Sequence, residues 1–449
     1  MKGHYGANWL IHESEMPIEV VQQYADMLTI PNPKIGLKGE PDTLCFLFKS
    51  EDYYVFPRNM FSRRDFTTYS YHINQAKPLS EHTNEIKLRG YQKAIDQEIK
   101  QSKVHDFVLN APCGHGKTVM GVNLISYFNQ KTLILLPTRF LMRQWYNSIS
   151  SMLKGLKVVT VNPAKYKFNP EDDVVIMSLD LMSGREFEEE FYANFGTVVM
   201  DEAHRMGARS YYPIISRVAC KTRIALTATM RRKDGADKIL MYDFGKLFSI
   251  DNQFPPAKVY GLNTYIKIPM KDVSIYRGRK LMPQYAKFDS YIASNEERNN
   301  LLFDQLMKLH KAGRRVIFIG KRKEALIAMY ERMKVVVPDC LLVISETNKD
   351  DTMDKVYKGA SFIFGISQLA EEGLDCPSAD TLVLHNPIGD CEQAVGRILR
   401  DVPGKKEPIV LYPVDDFFFS RNIFNSYKNN YLFNNATFAG YINDVNKVI

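Results

Sequence analysis

Three short constellations in the sequence carry residue types suited to chemistry on a phosphate. The first is Ala111-Pro-Cys-Gly-His-Gly-Lys-Thr118, which follows the apolar run Phe107–Asn110 and opens into the helical pattern Val119–Phe128. Gly114 and Gly116 permit a turn in which backbone N–H groups, that of His115 among them, converge on an anion at a helix N-terminus. Lys117 would then reach the β- and γ-phosphates of a nucleoside triphosphate, and Thr118 would hold Mg²⁺. The usual first glycine of such a loop is Ala111 here. Read alone, the segment could also be an ordinary tight strand-to-helix turn.

The second constellation is Asp201-Glu202-Ala203-His204, delivered by the apolar run Thr197–Met200. Adjacent carboxylates at the C-terminal end of a buried strand lie where an open α/β sheet places its ligand chemistry. Asp201 would bind the Mg²⁺ of the nucleotide, and Glu202 could orient and deprotonate an attacking water. The plain alternative is a helix N-cap. The third is Gln393-Ala-Val-Gly396-Arg397-Ile-Leu-Arg400. Its polar residues fall at i, i+3, i+4 and i+7, one face of a helix, from which two guanidiniums could stabilise charge developing on a γ-phosphoryl group. A solvated helix face is the alternative there.

These groups need a scaffold that presents strand ends. Short β-rich runs at Phe107–Asn110, Thr132–Leu136, Val158–Val161, Val174–Met177, Thr197–Met200 and Arg223–Leu226 alternate with helical stretches, which implies a parallel α/β sheet. A second series follows at Val316–Ile319, Leu341–Ile344, Phe362–Gly365, Thr381–Leu384 and Ile409–Tyr412. The fold class is therefore α/β with two parallel-sheet lobes, assigned to residues 85–248 and 249–449. The stretch 249–295, with four prolines and the basic residues Arg277, Arg279 and Lys280, reads as a connector plus an edge strand of the second lobe.

Residues 1–84 read as a small α+β accessory domain. Thr43–Lys49 and Tyr53–Phe56 suggest a β-hairpin with a three-residue loop. Between Tyr53 and Tyr71, Phe56, Phe61, Phe66 and Tyr69 interleave with Arg58, Arg63 and Arg64, a pattern that suits either stacking on unpaired bases or core packing. The aromatic residues from Phe417 to Phe433 read as a helix packed on the second lobe.

The 449 residues exceed one domain and exclude a disordered or fibrous chain. The formal charge of +8, concentrated in residues 85–248, is compatible with a polyanionic partner without identifying one. The six cysteines form no C-x-x-C pair and read as reduced thiols. No run reaches signal-peptide or membrane-span length, so the sequence points to a cytoplasmic protein, and a monomer is expected.

Taken in order, the motifs resemble those of superfamily 2 helicases of the DExH type. Leu226-Thr-Ala-Thr229 matches motif III of that superfamily. Its continuation Met-Arg-Arg-Lys-Asp-Gly is similar to the branch of phage branch-migration helicases and the xeroderma group B-type repair helicase. Glu372-Gly373-Leu374-Asp375 resembles motif V, and Gln393 to Arg400 matches motif VI. The resemblance covers residues 85–412 and implies two RecA-like lobes that close on ATP and Mg²⁺, coupling hydrolysis by Lys117, Asp201, Glu202, Gln393, Arg397 and Arg400 to movement along DNA. It assigns Arg89 and Gln92, within Leu88-Arg-Gly-Tyr-Gln92, to adenine recognition, and adds Gly373 and Asp375 to the nucleotide site. Backbone contacts to a nucleic-acid strand fall to Thr138, Arg139 and Ser178 in the first lobe and to Lys321, Arg322 and Ser367 in the second. His204, Thr227 and Thr229 would link nucleotide state to strand grip.

The activity that the resemblance implies is ATP-driven unwinding or branch migration of single-stranded, forked and branched DNA in recombination, repair or replication, with 3′ to 5′ polarity. An RNA helicase, a double-stranded DNA translocase and a nucleotide-gated binding module are the competing readings.

Overall fold

Both series of short apolar runs assemble into parallel seven-stranded sheets. The computed structural model describes residues 1–449 apart from 33–40, 162–165, 205–211, 229, 231–234, 279, 345–358, 367–375, 390, 401, 431 and 433–434, with only the backbone described for Phe140, Tyr212, Pro213, Ala236, Arg277 and Asn430. The chain divides into two units, Met1–Asp251 and Asn252–Ile449.

The sheet of the first unit runs in the order Val158–Thr160, Val174–Ser178, Thr132–Leu136, Thr197–Met200, Thr222–Thr227, Asp106–Asn110, Lys246–Ser249. All neighbours are parallel. Thr132–Leu136 and Thr197–Met200 are buried along their whole length, as expected of central strands covered on both faces. The six strands read from apolar runs are all present, with ends displaced by at most one residue. Thr197–Met200 and Thr222–Thr227 separate Asp106–Asn110 from Thr132–Leu136, although the latter two strands are consecutive in this sheet's chain order. The C-terminal ends of these four strands therefore lie side by side.

Residues 1–84 contribute a five-stranded sheet ordered Phe48–Ser50, Tyr53–Phe56, Trp9–His12, Lys2–Tyr5, Thr68–Tyr71, with helix Ile18–Met27. The hairpin there differs from the sequence reading. Phe48–Ser50 pairs with Tyr53–Phe56 across a two-residue turn, Glu51-Asp52, in which Glu51 takes φ +51°, whereas Thr43–Cys45 pairs with Thr29–Pro31. The interleaved aromatic and basic residues divide as well. Phe56 and Phe66 are buried, and Trp9 stacks on Phe66 with ring centroids 4.0 Å apart. Buried Arg58 pairs with Asp106 at 2.9 Å and donates to the carbonyls of Cys220 and Lys221. These residues serve the core, and Trp9, Phe56 and Phe66 share one apolar cluster with Val108, Leu133 and Val175 of the large sheet. Arg63, Arg64 and Tyr69 remain exposed.

Asp243, on helix Ala236–Phe244, is fully buried in this unit, and burial pushes its carboxyl up from 3.8 to about 7 against the opposing pull of Arg223. The folded chain thus keeps a proton that the unfolded chain releases between these two values, so stability falls as pH rises through that window. Asp243→Asn is expected to remove this slope and to raise stability above neutral pH by on the order of 2–4 kcal/mol, measured as urea midpoints at about pH 5 and pH 8. An unchanged pH dependence would contradict the assignment.

The sheet of the second unit runs in the order Leu341–Val343, Phe362–Ile366, Val316–Gly320, Thr381–Leu384, Ile409–Asp416, Ala257–Lys267, Ala436–Ile442. The five strands read from sequence are there. The strand that the 249–295 stretch gives to this sheet is Ala257–Lys267, and it is interior rather than an edge, paired with Ile409–Asp416 on one side and Ala436–Ile442 on the other. Arg277, Gly278 and Lys280 lie at the turn of a hairpin, Ser274–Arg277 with Lys280–Pro283, and Arg279 lies outside the described residues. Helix Phe418–Asn430 buries Phe424 and Tyr427 against the sheet. Among the described residues no helix is long and apolar enough to cross a membrane.

Candidate active site

The phosphate loop leaves the end of Asp106–Asn110, and Ala111 anchors it by donating its N–H to the Thr227 carbonyl at 2.9 Å. Ala111 is not among the described residues with positive φ, which is why alanine serves where glycine is usual. Gly114 and Gly116 do take positive φ, +84° and +78°, and Gly116 leads into helix Lys117–Phe128. His115 is fully buried beneath the loop, its Nδ1 3.2 Å from the Cys113 carbonyl, and burial depresses its pKa. Gln92 braces the loop from below. Its Nε2 donates to the His115 carbonyl at 2.9 Å while its Oε1 accepts from the Arg89 N–H at 2.9 Å. The element assigned to adenine recognition is therefore hydrogen-bonded to the phosphate loop, and Gln92 is itself buried.

The carboxylates arrive from the next strand but one. Asp201 is 3 % exposed, and Glu202 takes φ +51°, an uncommon backbone state for a side chain of its size. Lys117 Nζ lies 3.6 Å from Glu202 Oε1, Glu202 Oε2 lies 3.3 Å from His204 Nδ1, and His204 Nδ1 lies 3.4 Å from Thr227 Oγ1. Phosphate loop, acidic turn and the end of strand Thr222–Thr227 are thus joined through side chains. Burial, with the neighbouring Glu202 charge, pushes the Asp201 carboxyl up, while Lys117 and the Trp145 N–H hold it down. A pocket that penalises its own negative charge in this way gains from a cation.

The donors suit Mg²⁺: a carboxylate at Asp201 and a hydroxyl at Thr118 are hard oxygens, and Mg²⁺ takes one or two carboxylates with phosphates and water completing its shell. Among the described residues no cluster of three or more His, Cys, Asp or Glu is arranged to hold a metal.

Trp145 also belongs to this constellation. Fully buried, it donates from Nε1 to Asp201 Oδ2 at 2.9 Å, and the Glu202 N–H occupies Oδ1 at 2.8 Å. Nothing in local sequence spacing links residues 145 and 201. The signal available was compositional, since the chain has only two tryptophans.

The residues expected to touch a strand occupy varied settings. Thr138 and Ser178 cap helices Arg139–Met152 and Leu179–Gly184, accepting from the N–H groups of Leu141 and Leu181. Their strands are adjacent, with Leu136 opposite Ser178, so both caps and Arg139 stand at one sheet end, the end that also carries the phosphate loop. Lys321 is drawn into its own unit: Nζ donates to Tyr285 Oη at 2.6 Å and the Pro387 carbonyl at 3.0 Å, with Asp289 at 3.9 Å. Arg322 donates to the Ala286 carbonyl at 3.1 Å. Thr229, Ser367, Gly373 and Asp375 lie outside the described residues.

Gln393 and Arg397 lie on helix Glu392–Arg397, but that helix ends before Arg400, so the single face expected for all of Gln393, Gly396, Arg397 and Arg400 stops at Arg397. Ile398 and Leu399 turn into the core, Pro403 follows shortly, and Lys405 Nζ donates to the Arg400 carbonyl at 2.8 Å.

A phosphate loop and an Asp-Glu-x-His turn, presented at one end of a parallel sheet on strands separated by a single strand, make up a candidate nucleotide site. Residues 85–232 match the family model described as Type III restriction enzyme, res subunit. Over 353 residues the chain is 24 % identical to a protein of Acanthamoeba polyphaga mimivirus named as a putative ATP-dependent RNA helicase, covering 76 % of this chain and 67 % of that one. It is 24 % identical to a probable helicase of Escherichia phage T5, covering 68 % and 66 % respectively. Among solved structures, the crystal structure of T4 UvsW aligns over 98 % of this chain and 99 % of its own, with 16 % identity and a TM-score of 0.40. The chain is thus similar, over about two thirds or more of its own length, to viral and phage proteins named as helicases.

Proposed function

We propose that the chain is an ATP-dependent DNA helicase or translocase that unwinds or branch-migrates forked and branched DNA in recombination, repair or replication. The observation that carries the ATPase part is the side-chain connection from Lys117 through Glu202 and His204 to Thr227, with Asp201 beside it. On this reading Lys117 and the loop N–H groups bind the β- and γ-phosphates. Asp201 and Thr118 hold Mg²⁺, which neutralises charge on the phosphate oxygens. Glu202 orients the attacking water and accepts its proton, and His204 steadies the Glu202 carboxylate. Gln393, Arg397 and Arg400 are read as the groups that bind the γ-phosphoryl and stabilise charge developing on it.

The helix caps at Thr138 and Ser178, with exposed Arg139, support backbone contact to a strand, because helix N-termini present N–H groups to phosphates. Binding of that kind is independent of sequence and sensitive to salt. The Leu-Arg-Gly-Tyr-Gln and Thr-Ala-Thr-Met-Arg-Arg-Lys-Asp-Gly segments favour DNA, whereas the mimivirus relative's name favours RNA. ATP-driven strand displacement on a panel of synthetic junctions, forks, flaps and RNA duplexes separates the two. The expected result is displacement on forked and branched DNA and none on RNA. RNA-only displacement would replace DNA with RNA in this reading.

A further inference from the structure

We propose that Trp145 is a positioning residue that transmits strand contact to the carboxylate of Asp201. The inference deepens the reading above, since it takes Thr138 and Arg139 as strand contacts. Trp145 sits six residues after Arg139 on helix Arg139–Met152, whose face of Leu141, Met142, Trp145 and Ile149 is buried. At about 1.5 Å per residue, the indole lies roughly 9 Å along the helix from the strand-facing cap.

The indole touches two elements of the active site and shares an apolar cluster with a third. Its Nε1 donates to Asp201 Oδ2 at 2.9 Å. Its six-membered ring lies against Gly121 of the phosphate-loop helix so closely that a Cβ there would stand 2.6 Å from Cη2. The same added atom would stand 2.9 Å from Leu226, in the strand that ends at Thr227. Gly121 is thus a packing requirement of the indole, and one rigid ring joins the elements that position Lys117 and Asp201.

The consequence for Asp201 is geometric. Indole N–H on one oxygen and Glu202 N–H on the other fix the plane of the carboxylate. A buried indole N–H has no water to turn to, so it follows Asp201 or leaves a buried donor unmatched. Displacement of helix Arg139–Met152 by a strand held at its N-terminus would carry the N–H with it and rotate or release the carboxylate. Asp201 then presents its oxygens differently with and without strand, which makes Trp145 a coupling device between strand binding and the Mg²⁺-nucleotide site.

Two measurements on the full chain test this. Trp145→Phe keeps a ring against Gly121 and deletes the N–H. It is expected to raise the Mg²⁺ concentration for half-maximal hydrolysis by about 10-fold, the low end of losses seen when a partner of a metal ligand is removed, and to reduce the ratio of strand-stimulated to basal hydrolysis. The second leaves Trp145 in place: Trp9→Phe, a substitution in the N-terminal core, makes Trp145 the sole tryptophan. Its fluorescence is then expected to change when single-stranded DNA is added without nucleotide, over the range in which anisotropy of a labelled strand reports binding. Strand binding with unchanged Trp145 emission, or unchanged Mg²⁺ dependence in folded Trp145→Phe, overturns the inference and leaves the helicase reading intact. Absence of strand binding by the unsubstituted chain overturns both.

Discussion

Glu202→Gln is expected to lower ATP hydrolysis by roughly 10²- to 10⁴-fold, the range of general-base catalysis, while nucleotide binding persists. Glutamine matches glutamate in size and can keep an oxygen toward Lys117, at 3.6 Å in the glutamate, with its amide NH2 replacing the oxygen 3.3 Å from His204 Nδ1, but it cannot accept the proton of the attacking water. The backbone of Glu202 at φ +51° aims this one side chain between phosphate loop and His204, and Asp201, held by Trp145 and by the Glu202 N–H, is not free to take over the role. Single-turnover hydrolysis and fluorescent-nucleotide titration, run side by side, separate the two effects. Unchanged turnover would remove Glu202 as the base.

Lys117→Ala is expected to abolish ATP-dependent strand displacement and to cut hydrolysis by about 10²- to 10³-fold, as when one preorganised donor to a developing oxyanion is lost. Lys117 is only partly exposed at the start of its helix, beside Glu202, so its ammonium is already directed at the acidic turn before any phosphate arrives. Alanine keeps the helix, because it is the best helix former, and thus isolates the charge. Near-normal displacement by the folded variant, at ATP levels saturating the unsubstituted chain, would contradict the assigned role.

Buried central strands were legible because each is a run of consecutive apolar or β-branched residues, and Thr132–Leu136, Thr197–Met200 and Thr381–Leu384 begin and end where the pattern does. Strand Ala436–Ile442 was hidden because only its terminal residues are buried, Phe438 and Tyr441 are exposed, and Gly440 interrupts it at φ +136°; without that strand, Ala257–Lys267 read as an edge. The helical face carrying Gln393 and Arg397 followed from spacing, but its end did not, since burial of Ile398 and Leu399 is a tertiary fact. Arg58 illustrates the same limit. A guanidinium among aromatics is equally suited to a phosphate and to a buried carboxylate, and only the fold brings Asp106 to within 2.9 Å. In the candidate site, residue types and order revealed the phosphate loop and acidic turn. The pairing of Trp145 with Asp201 depends on helix Arg139–Met152 packing across the sheet, which no local pattern encodes.

Steady-state ATP hydrolysis by the full chain, with and without forked DNA and compared with Lys117→Ala under the same conditions, tests most directly whether the joined Lys117, Asp201 and Glu202 groups form a nucleic-acid-driven ATPase. The expected result is turnover that rises when forked DNA is added and is lost in the variant. Turnover no greater than that of Lys117→Ala, on forked DNA and on RNA alike, would contradict it.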